Sequence, residues 1–214
     1  RWDGISWQAI AMGIEGSGVQ ALAVYDGELV AAGDFLRIGA IETQNIAGWN
    51  GSEWSPLGSG IDGFPDALCV YDGRLFVGGY FHNAGGADAH HLACWNGTSW
   101  SGLASNVNNQ VLSLAVYGDR LVAGGWFSLA GGFPATFLAA WDGVSWSATG
   151  YGSGGGIDGS VLALAQFGGG LVAGGYFAAA GGVLASEIAH WDGATWSPLA
   201  SGLNSSVRAL ALYD

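Results

Sequence analysis

Trp141-Asp142-Gly143-Val144-Ser145-Trp146 is one of five copies of a single pattern, Trp-(Asp/Asn)-Gly-x-x-Trp, in this chain of 214 residues. The pattern uses ten of the eleven tryptophans, in the pairs Trp2/Trp7, Trp49/Trp54, Trp95/Trp100, Trp141/Trp146 and Trp191/Trp196. The copies start 47, 46, 46 and 50 residues apart. A period of this length is typical of supersecondary units that stack on one another. The pattern therefore indicates the fold more firmly than the function.

Each repeat is predicted to contain four antiparallel strands. In the first complete repeat these strands cover residues 19–25, 29–35, 45–49 and 53–57. The pairs Asp26-Gly27 and Asn50-Gly51 tolerate the positive φ that a two-residue hairpin turn needs. Three later second strands contain paired glycines, which let another backbone or an aromatic ring approach closely: Gly78-Gly79, Gly124-Gly125 and Gly174-Gly175. We expect each repeat to be a four-stranded meander.

A sheet of this composition has two apolar faces, and a ring of radially packed sheets covers both. The Gly-Gly second strand, the aromatic residue after it and the later Trp resemble the kelch family. The segments ALAVYDG (21–27), LVAGGYF (171–177) and IAHWDG (188–193) more closely resemble the Trp-Asp-Gly repeat propellers of bacterial and fungal cell-surface proteins. The resemblance spans essentially the whole chain and implies an all-β fold, a β-propeller of four-stranded antiparallel blades. Its members serve as scaffolds, lectin-like binders and enzyme bodies, so it does not specify an activity.

We expect one propeller domain over residues 1–214, five-bladed with one incomplete blade. The full repeats cover about 19–64, 65–109, 110–159 and 160–205, and a split blade combines 206–214 with 1–18. First and fourth strands occur five times, but the second strand only four times. Five whole repeats would need about 235 residues, against 214 present. The first strand predicted from Val207 to Tyr213 would therefore have an unpaired edge, to be filled by residues outside this sequence, by Arg1 to Gly4 or by strand addition from a partner protein.

The composition limits the kinds of partner. The chain has no lysine, five arginines and seventeen acidic residues, and its net charge of -12 repels nucleic acid and anionic membranes. The uncharged stretch from Val161 to Ala185 is long enough to suggest a membrane span, but its glycines and its Asp-Gly-containing equivalents predict a hairpin. We predict no nucleic-acid partner and no membrane insertion. The family resemblance implies an extracellular or cell-surface location.

Two repeat positions at one end of the predicted blades are candidate ligand sites. The loops between successive repeats carry an acid or amide at Glu15, Asp62, Asn108, Asp158 and Asn204. These oxygens would bind a hard cation or sugar hydroxyls, or else hydrogen-bond their own turns. The position before the second-strand Phe carries Asp34, Tyr80, Trp126 and Tyr176. The three aromatics would stack on sugar rings or pack between blades, and Trp126 departs from the tryptophan pattern.

A second cluster, His82, Asp88, His90, His91 and Cys94, lies within one repeat. Zinc needs three or four such side chains to converge, and we predict polar loop histidines with no metal and no cofactor. Cys69 and Cys94 fall in the first and third strands of one blade, too far apart for a disulfide, so free thiols are expected.

We find no pattern of catalytic residues in the sequence. The glycine-rich segment 152–159 resembles a phosphate loop only superficially, since a strand rather than a helix follows it. No Ser-His-Asp order, pair of inward carboxylates or Cys-His nucleophile recurs across the repeats. The sequence thus predicts a non-catalytic extracellular interaction or scaffold module. The alternative is a carbohydrate-binding, lectin-like propeller whose ligand is a glycan.

Overall fold

The structure, a computed structural model, describes residues 2–10, 13–103, 107–148 and 156–212. Four large sheets follow one another along the chain. Sheet 1 contains β1 (Ile14–Tyr25), β2 (Glu28–Ile38), β3 (Ile41–Glu42), β4 (Ile46–Trp49) and β5 (Trp54–Pro56). Sheet 2 contains β6 (Phe64–Tyr71), β7 (Arg74–Tyr80), β10 (Leu92–Trp95) and β11 (Trp100–Gly102), and its loop forms a hairpin of β8 (Asn83–Ala84) and β9 (Ala87–Asp88).

Sheets 3 and 4 repeat this arrangement. Sheet 3 contains β12 (Val111–Tyr117), β13 (Arg120–Gly125), β16 (Leu138–Trp141) and β17 (Trp146–Ala148), with the hairpin β14 (Leu129–Ala130) and β15 (Phe133–Pro134). Sheet 4 contains β18 (Ser160–Phe167), β19 (Gly170–Tyr176), β22 (Ile188–Trp191) and β23 (Trp196–Pro198), with the hairpin β20 (Ala179–Ala180) and β21 (Val183–Leu184). In every sheet the four main strands pair antiparallel in chain order, as the predicted meander requires.

The sheets pack side by side around their first strands. β1 contacts β6, β6 contacts β12, and β12 contacts β18. Neighbouring sheets cover both faces of the second strands, so residues such as Val122 and Ala123 are both buried although they point in opposite directions. The glycine pairs allow this close approach: a Cβ on Gly124 would lie 2.6 Å from Val161 Cγ1 of the next sheet.

The Trp-(Asp/Asn)-Gly-x-x-Trp pattern forms the hairpin between third and fourth strands. Trp141 pairs with Trp146 across it, with ring centroids 5.5 Å apart. Asp142 Oδ1 accepts hydrogen bonds from the backbone N–H groups of Val144 (2.9 Å) and Ser145 (2.7 Å). These two bonds, the one from Ser145 first, lower the pKa of Asp142. The pattern is therefore a turn signal combined with a cross-strand aromatic pair.

The main loops all emerge at one end of the sheets. We call this end the loop face: it carries the connections from second to third strands and from each sheet to the next. The opposite end carries the Asp-Gly and Trp-Asp-Gly turns. The glycine-rich segment 152–159 lies mostly outside the described residues, and the strand predicted after it is β18; the loops from the fourth strand of one sheet to the first strand of the next are called 4–1 loops below. No helix that is long and apolar enough to cross a membrane occurs in the described ranges.

The fifth repeat differs from the prediction. The first strand expected from Val207 was wrong: residues 207–212 form no β-strand, and Tyr213 lies outside the described residues. A strand needs a hydrogen-bonded neighbour, and the second strand that would pair with this segment is missing from the sequence. Trp2 and Trp7 do form their hairpin contact but are 52% and 79% exposed. Within the described ranges no strand pairing joins the two ends of the chain.

The two chain segments assigned to the fifth repeat nevertheless contact complete sheets. Val207 N–H donates to the carbonyl of Gly175 (3.0 Å). Val207 also packs against Gly174 of sheet 4. Val161 packs against Gly124 of sheet 3 in the same way. At the other end, Ile10 packs against the buried cluster that contains Trp54. The C-terminal segment therefore packs against sheet 4, and the N-terminal segment packs against sheet 1.

Candidate binding face

The three aromatic residues predicted as ligand-binding residues are exposed on the loop face. Tyr80 is 48% exposed, Trp126 55% and Tyr176 69%. The alternative interpretation, in which these rings pack between neighbouring sheets, was wrong. The next residue in each repeat, such as Phe81 or Phe127, is buried instead. Because successive side chains in an extended segment point to opposite sides, burying the phenylalanine turns the preceding aromatic outward.

Two hollows lie beside these rings. The first has a volume of about 360 Å³ and lies between sheets 1 and 2. Its lining residues are Ser17, Gln20, Asp34, Phe64, Asp66, Tyr80 and Gln110. The second has a volume of about 450 Å³ and lies between sheets 3 and 4 and the C-terminal segment. Its lining residues are Gln110, Leu112, Trp126, Ser160, Leu162, Tyr176, Ser206 and Arg208.

Gln110 belongs to both hollows and joins them. Its Nε2 donates to Asp66 Oδ2 at 2.7 Å across the boundary between sheets 2 and 3. Burial raises the pKa of Asp66, and the hydrogen bond from Gln110 opposes that rise. We call the two hollows together the groove.

The groove is built from the same repeat positions in every sheet. One of them is a first-strand position, occupied in order by Gln20, Asp66, Leu112, Leu162 and Arg208. This position was not among the predicted site residues, which lie in the loops and next to the second-strand phenylalanines. The signal was present in the sequence, since the residues at this position change along the chain from amide to acid, then to two leucines, then to arginine. The groove consequently differs in chemistry from one end to the other.

Asp62, Asn108 and Asp158, in the loops between sheets, accept hydrogen bonds from the second-to-third-strand loop of the following sheet, and not from their own turns. Asp158 Oδ1 accepts from the backbone N–H groups of Ala178 (2.9 Å) and Ala179 (2.8 Å), and Asn108 and Asp62 make the equivalent bonds. Burial alone would raise the pKa of Asp62, but the bonds from Asn83 and His82 outweigh it and lower that pKa. Asn204 is exposed. These four side chains lie on the loop face, and their binding of a ligand stays a prediction.

The histidines lie beside Tyr80. His91 stacks on Tyr80 with ring centroids 5.3 Å apart, and His90 Nε2 lies 2.9 Å from Asp88 Oδ1. His91 is 7% exposed and its buried Nδ1 has no partner among the described residues. Burial first, and the proximity of His82 second, lower the pKa of His91. Within the described part of the chain no three potential metal ligands converge.

The two cysteines lie where the sequence predicted them, Cys69 in β6 and Cys94 in β10, as free thiols. Burial raises the pKa of the Cys69 thiol to about 11. A thiol with so high a pKa is poorly ionised at neutral pH and is a weak nucleophile.

Comparison with solved structures places the chain in the β-propeller fold. The chain resembles the WD40 β-propeller domain of Doa1, with a TM-score of 0.59 and 16% identity over 96% of this chain. It also resembles the computationally designed Ika8 protein, with a TM-score of 0.51 and 17% identity over 95% of this chain. The chain spans 62% of the length of the Doa1 domain and 68% of Ika8. No family model and no curated protein sequence matches it.

Proposed function

We propose that this chain is a non-catalytic interaction module that binds its partner at the loop face. One observation carries the proposal: Tyr80, Trp126 and Tyr176, at one repeat position, are all exposed beside hollows. Exposed large aromatics that share a concave surface are typical of binding sites, because they offer rigid contact area with a polar tip. The propeller fold supports the same conclusion, since its loop faces present many side chains on a rigid scaffold.

The partner is a protein in this proposal, and the module works outside the cell or at the cell surface. The location rests on the resemblance of the Trp-Asp-Gly repeats to surface-protein propellers. Strand addition at the incomplete fifth repeat is a further mode of protein binding that the sequence predicts. Its two sides would be the segment at Val207 and the segment at Ile10.

A truncation of Trp126 tests the proposal. Arrays of surface-displayed peptides and of glycans are probed with the purified chain and with Trp126→Ala. The matched control is Phe133→Ala, because Phe133 is 65% exposed on the same sheet but lines neither hollow. We expect Trp126→Ala to weaken peptide binding about tenfold or more, as loss of an aromatic hot spot does, and Phe133→Ala to leave it unchanged. Equal binding by both variants would contradict a partner site at the hollow that Trp126 lines.

The lectin function is the second candidate, and the second hollow favours it specifically. Trp126 and Tyr176 line this hollow together with Ser160 and Ser206, which combines rings for stacking with hydroxyls for hydrogen bonding. The same arrays distinguish the two functions. Glycan binding that depends on Trp126, with no peptide bound, would replace the protein partner by a carbohydrate.

A further inference from the structure

The two ends of the groove carry opposite charge. At the first hollow, the carboxylates of Asp34 and Asp66 lie on neighbouring sheets. At the far end of the second hollow lies the guanidinium of Arg208. The rest of the second hollow's lining combines apolar and aromatic side chains with polar ones: Leu112, Trp126, Leu162 and Tyr176 with Gln110, Ser160 and Ser206.

Arg208 differs from the other described arginines. Arg37, Arg74 and Arg120 each lie within 3.9 Å of a carboxylate oxygen. Arg208 makes no such ion pair in the part of the chain that the structure describes, although the molecule has a net charge of -12. An exposed cation without a carboxylate partner, lining the same hollow as two aromatic residues in an acidic protein, attracts an anionic group of a ligand.

The acidic end is also open to a ligand. The Asp34 side chain is half-buried and accepts no hydrogen bond from the described residues. Asp66 uses one oxygen for Gln110, which leaves its other oxygen free of described partners. Two such carboxylates favour a cation of the ligand at this end.

We propose that the groove binds an extended polypeptide segment that carries a basic side chain at the Asp34 and Asp66 end and a carboxylate at the Arg208 end. Its apolar residues lie between these charges, against Trp126 and Tyr176. A polypeptide carries both charges on one flexible chain, whereas an acidic saccharide supplies only the negative one. The inference rests on the proposed function and adds the chemical class and the charge order of the partner segment.

Four synthetic peptides with blocked ends test the charge order. They share one apolar core with tyrosine and proline and differ only in the flanking side chains: Lys then Glu, Glu then Lys, Lys at both ends, or Glu at both ends. Fluorescence anisotropy measures their affinity for the full chain. We expect one of the two mixed-charge peptides to bind tightest and to lose affinity as sodium chloride is raised, because salt screens exposed charges.

Charge reversals provide the discriminating variants. Arg208→Glu should lower the affinity of the preferred peptide at least about fivefold and make the peptide with two lysines the best ligand. Asp34→Arg combined with Asp66→Asn should make the peptide with two glutamates the best ligand. Arg120→Glu is the matched control, since Arg120 lies outside the groove and should leave the order of affinities unchanged.

The outcomes separate this inference from the proposed function. Peptide binding that requires Trp126 but shows no preference for charge order would overturn the inference and leave the function intact. Failure of every peptide to bind would overturn both. Binding of an oligoglucuronate that requires Trp126 and Arg208, with no peptide bound, would replace the polypeptide by an acidic saccharide.

Discussion

Replacing Gly124 by alanine should destabilise the protein through a specific clash with the next sheet. The new Cβ would lie 2.6 Å from Val161 Cγ1 and 2.9 Å from Val161 Cβ of the next sheet, and 2.6 Å from Ser113 Oγ of its own sheet. Carbon atoms pack best at about 3.5 to 4.0 Å, so the overlap is close to 1 Å. Overpacking of this kind costs about 1 to 3 kcal/mol of the free energy of unfolding. For a domain of this size that corresponds to a melting temperature lower by about 2 to 12 °C.

A double-mutant cycle isolates the clash. Val161→Ala alone removes two buried carbons and should cost about 2 to 3 kcal/mol. In the double variant, loss of Val161 Cγ1 relieves one of the close contacts, while Val161 Cβ at 2.9 Å and Ser113 Oγ at 2.6 Å remain, so we expect a favourable coupling of about 1 kcal/mol. Sheets 1 and 2 already contain a comparable pair of residues. Ala32 takes the place of the glycine, Pro65 of the next sheet takes the place of the valine, and both are buried. Urea unfolding followed by tryptophan fluorescence measures the four free energies.

Gly125→Ala is the matched control for this cycle. A Cβ on Gly125 would clash with the carbonyl oxygen of Gln110, which is backbone of its own sheet. Val161→Ala cannot relieve that contact, so Gly125→Ala and Val161→Ala should add without coupling. If Gly124→Ala is neutral, or if its cost simply adds to that of Val161→Ala, the glycine pair does not set the spacing between sheets.

Three further substitutions test other parts of the structure. Trp54→Ala should cost about 3 to 5 kcal/mol in urea unfolding because the ring is 8% exposed, whereas Trp7→Ala, with a ring 79% exposed, should change stability by about 0.5 kcal/mol or less. Equal losses of stability would contradict the burial of Trp54 and the exposure of Trp7. Asp158→Ala should cost about 0.5 to 1.5 kcal/mol by removing the acceptor of two solvent-accessible backbone N–H groups, and Asp158→Asn, which keeps an acceptor, should cost less. His91→Asn should raise stability, since Asn45 makes two buried hydrogen bonds at the equivalent position. Burial lowers the pKa of His91 in the folded state below its ordinary 6.5, so protonation favours the unfolded state and stability is lost as pH falls through 6.5. His91→Asn should weaken this loss in a series of unfolding curves from neutral to acidic pH, and an unchanged slope would assign the loss to other groups.

The sequence was sufficient to predict the four complete sheets because their signals are local. The Asp142-Gly143 turn takes its hydrogen bonds from residues two and three positions away, and the flanking tryptophans pair across the same hairpin. Hairpins whose contacts are this short in sequence can be predicted from local residue patterns. It did not predict the small hairpins of the loop face, such as β14 and β15, which are only two residues per strand.

The sequence was insufficient where an element depends on a distant partner. The segment after Val207 has the alternation of a first strand, yet it forms no strand because no second strand is present to pair with it. Trp7 repeats the buried tryptophan of the other hairpins but stays exposed for the same reason. In both places the local pattern was correct and the long-range pairing decided the outcome.

The candidate site could be predicted only in part, because each repeat combines buried positions that are the same in every sheet with outward positions that vary. A buried phenylalanine, within or just after the second strand, is present in all four sheets because it fills the same space each time: Phe35, Phe81, Phe127 and Phe177. The preceding residue points to the loop face and varies between Asp34 and three aromatics, because no packing constrains it. The first-strand position of the groove varies in the same way and ends at Arg208. Core and groove residues therefore alternate along one strand, so the charge of the groove can change between repeats with little cost to the stability of the sheets. Comparing equivalent outward positions across the repeats is consequently the most direct way to read the chemistry of a binding face from a repeat sequence.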